Sequence, residues 1–460
     1  MQNRSKVHQY ADIQFQTSPL THRRAPTLQT SVMSGATPPI LSVHPCQALV
    51  DETFSVVVEN LPPGRPVTVR SLHQSEDKDF WEAYGHYVSD HHGTVSVSED
   101  LSLGGTYRGK EPMGLLWSMR PVPGSRTGLR LRKVNVCAPL LVNISVYSGH
   151  ENFRDIPPLV STLVERWYMA PGVKRIEINE KGIRGTLLIP AGPGRYPGLL
   201  DLWGGGGGLN EYRAALLASH GYASLAVDYI KAAEYKTKDL QLKYFEIAFN
   251  ILKEHPQVMS DRVGIIGLCL GSLIALSLAA YSTNIKPHCI ICISSVLTTS
   301  SGKLIGGISE GIPERAQKTR VDENNHHIWR DVGVALLDEP SMKVEVGKIN
   351  CPMLLLHGCD DQNWASLESA HEIYKMMRAA GKEHLVAKVD YPGAGHLIEP
   401  PFSPHFRATN FIPQGTKEKL IVLWGGETKA HSDAQEDSWK KILSFLQQHM
   451  YSNPSTKSKI

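Results

Sequence analysis

The stretch Val263–Gly271 reads VGIIGLCLG and decides the fold of the larger part of the chain. Its apolar first half is typical of a buried strand, and it leads directly into a small-residue helix around Ile274–Leu276. One glycine lies two residues before Cys269 and another lies two residues after it. Because glycine tolerates close backbone approaches and unusual dihedral angles, the pattern predicts a tight strand–turn–helix connection with Cys269 at its apex.

The same pattern with serine at its centre, G-x-S-x-G, forms the strained nucleophile turn of α/β-hydrolases. Gly267–Gly271 therefore predicts a nucleophilic cysteine. The start of a helix favours the thiolate form, because the partial positive charge there stabilises an anion. The alternative is a buried structural Cys269 flanked by two chance glycines, and the strand–turn–helix setting favours the nucleophile.

A nucleophile of this kind needs a base, and the base needs an acid that orients it. In this fold both follow the nucleophile along the chain, each after a strand. Asp360 and Asp361 follow a buried apolar strand, and His396 lies in a glycine-rich loop after the next strand. We predict Cys269, Asp361 and His396 as the catalytic residues. Asp360 stays the alternative acid, and Asp361 is favoured because its place three residues past Gly358 suits a strand-end loop.

An oxyanion hole needs two backbone N–H groups near the nucleophile. We expect one from Leu270 and one from the run Gly204–Gly208, with Gly205 and Gly206 as the predicted donors. Bare backbone there lets an oxyanion approach without meeting a Cβ atom. The run does not fit the dinucleotide pattern G-x-G-x-x-G, and no Gly-Lys pair of a phosphate loop follows it.

Two patterns of apolar residues divide the chain into predicted domains. Residues 37–166 show period-two alternation between Gly and Pro turns, which predicts an all-β sandwich. Residues 167–450 alternate strands with helices, the last helix covering about Ala434–His449, which predicts a mostly parallel sheet with helices on both faces. Residues 298–350 have weaker periodicity, and we expect them to form an excursion over the site. We interpret residues 1–36 as a disordered leader or transit segment and residues 451–460 as a flexible tail.

The composition predicts a soluble intracellular protein. The 460 residues carry 48 Lys plus Arg against 45 Asp plus Glu, a net charge of +3 that argues against a nucleic-acid partner. Seven cysteines are a sparse, odd number that fits a reducing compartment, and no apolar run reaches the roughly 18 residues of a membrane span. The 20 histidines show no H-E-x-x-H spacing, so we expect no catalytic metal. We also expect no cofactor.

The two ends of the chain contain possible targeting signals for a cellular compartment. The tail ends in Ser458-Lys459-Ile460, one conservative step from the Ser-Lys-Leu peroxisomal address. We expect a peroxisomal or cytoplasmic protein, with the mitochondrion as the alternative that a transit segment would imply.

Several longer stretches resemble the family of acyl-CoA thioesterases and bile acid-CoA:amino acid N-acyltransferase. They cover most of the chain from about Pro39 to Met450, and they are SLGGTY (102–107), EPMGLLW (111–117), ERWYMAPGV (165–173), EYRAALLA (211–218), YPGAGHLIEPP (391–401) and LWGGE (423–427). The resemblance implies a β-sandwich in front of an α/β-hydrolase domain. It also implies that Cys269, Asp361 and His396 are the catalytic triad and that a coenzyme A thioester is a substrate, not a cofactor.

The family divides by its nucleophile, with Ser in the thioesterases and Cys in the amino-acid N-acyltransferases. With Cys269 the intermediate is a thioester, which reacts readily with amines. The resemblance therefore implies transfer of a bile acid or fatty acid to glycine or taurine. Hydrolysis by a thioesterase stays open, as does a non-catalytic acyl-CoA-binding relative. The sequence makes no prediction of the oligomeric state.

Overall fold

The computed structural model describes residues 37–206, 208–229, 242–298, 319–412 and 419–451, and the chain from Pro39 onward forms one compact unit. The predicted leader (1–36) and the peroxisome-like tripeptide lie outside the described residues. None of the helices within these ranges combines the length and the apolar composition that crossing a membrane requires.

The first part of the unit is built from short strands. They are β1 (Ile40–His44), β2 (Gln47–Leu49), β3 (Ser55–Glu59), β4 (Pro66–Gln74), β5 (Phe80–Val88), β6 (Val95–Ser96), β7 (Arg120–Pro121), β8 (Leu140–Ser148) and β9 (Val160–Trp167), with one short helix, α1 (Gly114–Trp117). The predicted domain boundary at residue 166 falls one residue before the end of β9.

These strands form two sheets whose inner faces share one core. The smaller sheet has the order β1-β3-β6, and the larger has the order β2-β9-β8-β4-β5-β7. Alternate residues such as Val56 and Val58 in β3, and Val67 and Val69 in β4, are buried in the same apolar cluster. Side chains in a strand point alternately to its two faces, so the period-two pattern places one apolar set in the core. The predicted β-sandwich is confirmed.

The second part alternates strands and helices. Its elements are β10 (Lys174–Glu180), β11 (Ile183–Ile189), β12 (Tyr196–Leu202), α2 (Tyr212–Ser219), β13 (Ala223–Val227), α3 (Leu242–Glu254), β14 (Val258–Leu268), α4 (Leu270–Tyr281), β15 (Ile290–Ile293), β16 (Arg320–Val321), β17 (His327–Ile328), α5 (Arg330–Leu337), β18 (Met353–Gly358), α6 (Ser366–Ala379), β19 (Val386–Tyr391), β20 (Ala408–Phe411), β21 (Leu420–Leu423) and α7 (Thr428–Leu446).

An eight-stranded sheet is the centre of this part, with the order β10-β11-β13-β12-β14-β15-β18-β19. The pairs β10–β11 and β11–β13 are antiparallel, and every later neighbouring pair is parallel. Apolar residues of α3, α4 and α6 pack on one face, and those of α2 and α7 pack on the other. The predicted mostly parallel sheet covered on both faces is confirmed, and the fold of this part is that of an α/β-hydrolase. The last helix, however, begins at Thr428, six residues before the predicted start at Ala434.

A separate four-stranded sheet, with the order β16-β17-β21-β20, was not predicted. It joins residues 320–328, in the segment expected to be an excursion, to residues 408–411 and 420–423 near the end of the chain. Residues 299–318 of that segment lie outside the described residues. The strands β16 and β17 have two residues each, which is too short for a period-two pattern to appear in the sequence.

Polar contacts and shared apolar packing join the sandwich to the α/β-hydrolase part. Asp51 Oδ2 accepts hydrogen bonds from His220 Nε2 at 2.6 Å and from Trp439 Nε1 at 2.8 Å. Arg130 Nη2 lies 2.5 Å from Glu399 Oε1. Phe402, only a few residues past His396, is buried in the core of the sandwich.

A buried ion pair fixes the end of β12 against α2. Arg213 and Asp201 are both essentially inaccessible to solvent, and Arg213 Nε donates to Asp201 Oδ1 at 2.9 Å. The same guanidinium donates to the carbonyl of Leu202 at 2.9 Å and lies 4.3 Å from the centre of the Trp203 ring. The strand that leads into the Gly204–Gly208 run therefore ends at a fixed position.

We predict that Asp201→Ala lowers the free energy of unfolding by about 3–5 kcal/mol, because it leaves the Arg213 charge buried without its partner. Urea unfolding followed by circular dichroism measures the change. The double variant Asp201→Ala/Arg213→Leu removes both charges and should recover most of the loss. Equal stability of Asp201→Ala and the wild type would contradict the prediction.

Candidate active site

Cys269 lies at the apex of a sharp turn between β14 and α4. Its dihedral angles are φ +55° and ψ −116°, a region that residues with a Cβ rarely adopt. A Cβ atom on Gly267 would overlap with the backbone of Gly271, and one on Gly271 would overlap with the carbonyl of Leu202. Both glycines of the motif are therefore required by close backbone packing, as the sequence predicted.

Hydrogen bonds hold this strained turn in place. The backbone N–H of Cys269 donates to the carbonyl of Ile293 at 2.9 Å, and Ser272 Oγ donates to the carbonyl of Cys269 at 2.6 Å. Ser272 Oγ also accepts the N–H of Val296 at 2.9 Å. Cys269 caps the N-terminus of a 12-residue helix, and its side chain is partly exposed. The position at a helix N-terminus and the partial exposure of the side chain suit an accessible nucleophile.

Asp361 and His396 form a buried pair beside this turn. His396 Nδ1 lies 2.7 Å from Asp361 Oδ2, and both residues are almost fully buried. The carboxylate also accepts the backbone N–H groups of Asn363 and Trp364 at 2.9 Å each and the hydroxyl of Ser366 at 2.6 Å. These bonds provide partners for the buried carboxyl oxygens and fix their direction toward the imidazole.

The imidazole of His396 also interacts with Cys269, so one ring connects the acid and the thiol. Because Asp361 engages Nδ1, Nε2 is the nitrogen that is left for Cys269. Burial by itself lowers the pKa of His396, but the negative charges of Asp361 and Cys269 and the hydrogen bonds to both raise it to about 10. The raised pKa keeps the imidazole of His396 protonated at neutral pH, beside the sulfur of Cys269.

Asp360, the alternative acid, faces a different set of partners. Its Oδ2 atom is hydrogen-bonded to Arg407 and accepts the N–H of Gly426 at 2.9 Å. Burial raises the pKa of Asp360, yet these hydrogen bonds and one from Gln362 outweigh burial and lower it. The structure therefore brings Asp361, and not Asp360, against His396.

The glycines proposed for the oxyanion hole differ in their distance from the thiol. A Cβ atom built on Gly204 would lie 3.4 Å from Cys269 Cβ and 3.9 Å from its Sγ, so Gly204 borders the thiol directly. Within the described chain, a Cβ on Gly205 would meet no atom within 4 Å, and one on Gly206 would face the Phe411 ring at 3.5 Å. Leu270 is the first residue of α4 and follows the thiol, as predicted. Which N–H groups form the hole stays a prediction.

Aromatic residues from the four-stranded sheet and its flanks border the same site. The ring of Trp424 stacks on His396 with an interplanar angle of 18° and a centroid distance of 5.9 Å. Phe411 contacts both Trp424 and Trp329 edge to face. Trp424 lies in the LWGGE stretch, and its spacing in the sequence predicted no role for it.

Cysteines and other residue types that bind metals are spread over the described ranges. Within those ranges, no group of three or more His, Cys, Asp or Glu side chains has the arrangement of a metal site. All seven cysteines are free thiols. Cys289 and Cys292 are buried in the clusters on opposite faces of the sheet, so this C-x-x-C pair cannot act together.

Both parts of the chain are similar to known proteins. Residues 51–180 match the family model described as "Acyl-CoA thioester hydrolase/BAAT N-terminal region", and residues 240–452 match "BAAT / Acyl-CoA thioester hydrolase C terminal". The chain is 35% identical over 444 residues to the peroxisomal succinyl-coenzyme A thioesterase of Mus musculus, covering 91% of this chain and 98% of that protein. The chain belongs to the acyl-CoA thioester hydrolase/BAAT family.

A second relative and a solved structure match this chain at different levels of sequence identity. The bile acid-CoA:amino acid N-acyltransferase of Mus musculus is 34% identical over 419 residues, which cover 89% of this chain and 97% of that protein. Among solved structures, a putative dienelactone hydrolase from Klebsiella pneumoniae matches with a TM-score of 0.37 and 16% identity, over 60% of this chain and 98% of that chain. The family therefore includes proteins named both as thioesterases and as an N-acyltransferase.

Substitution of a glycine in the nucleophile turn tests whether close backbone packing around Cys269 is required for stability. We predict that Gly271→Ala lowers the free energy of unfolding by about 1–3 kcal/mol, because the new methyl group overlaps with the Leu202 carbonyl. Gly205→Ala is the matched control, since its Cβ meets open space and its N–H is retained. Thermal melting of both variants measures the difference. Equal melting temperatures would contradict the packing argument.

Proposed function

We propose that this protein cleaves acyl-CoA through a covalent Cys269 acyl-enzyme and transfers the acyl group to the amine of an amino acid such as glycine or taurine. The observation that carries the proposal is a cysteine on a strained turn that interacts electrostatically with an imidazole, which a buried carboxylate orients. Membership of a family with acyl-CoA thioesterases and an N-acyltransferase supports the substrate class.

In the first half-reaction the Cys269 thiolate attacks the thioester carbonyl of acyl-CoA. The carbonyl π electrons move to oxygen, and the resulting oxyanion lies close to the N-terminus of α4 and to Gly204, where backbone N–H groups can stabilise it. The intermediate collapses by breaking the bond to the coenzyme A sulfur. The His396 imidazolium gives its proton to that leaving thiolate, which leaves a neutral imidazole and an acylated Cys269.

In the second half-reaction the neutral amine of the acceptor attacks the acyl-enzyme carbonyl. His396 removes a proton from the attacking nitrogen, and the Cys269 thiolate leaves as the amide forms. Asp361 stays ionised throughout and stabilises the imidazolium each time it forms. The imidazolium–thiolate pair is then regenerated for the next cycle.

Sulfur at position 269 favours transfer because the intermediate is a thioester. A thioester carbonyl has less resonance stabilisation than that of an oxygen ester, and it therefore reacts readily with an amine. The second candidate function is hydrolysis, with a water molecule as the acceptor for the same acyl-enzyme. The 35% identity with a thioesterase favours this candidate, and the His396–Asp361 pair would activate water in the same way as an amine.

A peroxisomal location is part of the proposal. The relative from Mus musculus described above is named as peroxisomal. Expression of the full chain fused at its N-terminus to a fluorescent protein, with and without Ser458–Ile460, tests whether this tripeptide carries the address.

Product analysis separates the candidate functions. We predict that incubation with acyl-CoA and glycine or taurine gives the acyl-amide, and that Cys269→Ala gives neither amide nor free acid. Cys269→Ser should shift the products toward free acid, because an oxygen ester reacts less readily with amines. Mass spectrometry of the products measures the partition. Free acid alone from the wild type would identify a thioesterase, and an absence of turnover with bound acyl-CoA would identify a binding protein.

The two neighbouring carboxylates provide a matched test of the acid. We predict that Asp361→Asn lowers kcat by about 10,000-fold, because an amide cannot stabilise the imidazolium or hold its tautomer. Asp360→Asn changes the adjacent residue, whose partners are Arg407 and Gly426, and should lower kcat by less than about 10-fold. Steady-state release of coenzyme A measures both. Equal losses would contradict the assignment of Asp361.

A further inference from the structure

A buried histidine on α7 lies directly behind the loop that carries His396. His431 Nδ1 accepts the backbone N–H of Gly395 at 3.0 Å, and its Nε2 donates to the carbonyl of Leu397 at 2.8 Å. Gly395 and Leu397 are the residues on either side of His396. One inaccessible ring therefore holds the backbone both before and after that residue.

These two hydrogen bonds require a neutral imidazole with its proton on Nε2. Burial lowers the pKa of His431 to about 4, which is consistent with a neutral ring. The ring of His405 stacks on it with a centroid distance of 3.5 Å and an interplanar angle of 11°. His405 Nε2 donates to the carbonyl of Gly425 at 2.8 Å, and a Cβ on Gly395 would overlap with that same carbonyl. The two histidines thus pack the His396 loop against the turn that follows Trp424.

The remaining contacts of His396 are made through its own backbone and ring. Its N–H donates to the carbonyl of Trp424 at 2.9 Å, and its carbonyl accepts the hydroxyl of Ser294 at 2.5 Å. The flanking peptide groups are the ones that His431 holds. Without His431, two buried polar groups next to His396 would lose their partners, and the loop would have to move to find others.

We propose that His431 is a positioning residue for His396. It acts through the backbone of Gly395 and Leu397, and it fixes the imidazole of His396 relative to Asp361 and Cys269. The proposal rests on the proposed function in one respect, the assignment of proton transfer to His396. A displacement of about 1 Å at a reacting group costs on the order of 100-fold in rate, so a small shift of this loop has a measurable effect.

Three substitutions separate the two hydrogen bonds. His431→Asn retains an acceptor near the position of Nδ1, His431→Gln retains a donor near the position of Nε2, and His431→Leu retains neither. We predict that His431→Leu lowers kcat by about 100-fold with little change in KM, because the displaced group acts only in the chemical steps. His431→Asn and His431→Gln should each recover part of the loss.

Trp439→Phe is the matched control. Trp439 lies on the same helix and is buried, and its Nε1 donates to Asp51 on the sandwich rather than to the backbone of the His396 loop. Its loss removes one buried hydrogen bond and should lower the melting temperature without changing kcat. A merely structural role for His431 predicts the same behaviour for both positions.

A second readout requires no acyl-CoA. Alkylation of Cys269 by iodoacetamide, measured by peptide mass spectrometry over a range of pH, reports how far the imidazolium of His396 stabilises the thiolate. We expect alkylation at neutral pH to become slower in His431→Leu, because the imidazole of His396 is displaced from the thiol, and to stay unchanged in Trp439→Phe.

The outcomes are distinct. If His431→Leu keeps the wild-type alkylation profile and kcat while melting like Trp439→Phe, the proposal is overturned. If the wild type turns over no acyl-CoA but His431→Leu still shifts the alkylation profile, the proposed function fails and the positioning role is supported. Should His431→Leu not fold, the Asn and Gln variants decide, because wild-type profiles and kcat in both would overturn the proposal.

Discussion

The close packing of backbone on backbone at the nucleophile turn is the constraint on which the site depends. Cys269 keeps a left-handed conformation only because Gly267 and Gly271 leave room for each other and for the carbonyl of Leu202. Strain of this kind persists where the surroundings determine the conformation. The Asp201–Arg213 pair fixes the end of the neighbouring strand and so fixes that carbonyl. The buried Asp201–Arg213 pair thereby contributes to the position of the Cys269 thiol.

The other half of the site depends on the partners of a buried carboxylate. Asp361 accepts four hydrogen bonds, one of them from His396, while Asp360 is hydrogen-bonded to Arg407, Gly426 and Gln362. In the interior an unpartnered carboxylate would be expensive, and both carboxylates have several donors, so the identity of the partner, His396 or Arg407, is what distinguishes them. The raised pKa of His396 follows from the same arrangement, because two negative neighbours outweigh the effect of burial.

The sequence predicted the features that depend on residues close together in the chain. The glycine spacing around Cys269 predicted the turn, and the positions of Asp361 and His396 after successive strands placed them at one edge of the sheet. Contacts between distant segments had no such signal. The four-stranded sheet pairs His327 with Val422, which lies 95 positions further along the chain, through the two-residue strand β17. The first six residues of α7 are mostly polar, so the apolar pattern did not show them to be helical. His431 and Trp424 meet His396 only through that tertiary structure, so their proximity could not be read from spacing.

The loop that begins at His396 continues across the boundary between the two architectures. Glu399 on this loop pairs with Arg130, and Phe402 is buried among the apolar side chains of the sandwich. The loop that carries the imidazole is therefore held by the hydrolase sheet on one side and by the sandwich on the other. The sandwich contains none of the three predicted catalytic residues. Excision of the sandwich would leave Phe402 without its apolar surroundings and would free the loop. Selection for turnover therefore also maintains the sandwich, and the two domains should be inherited as one evolutionary unit.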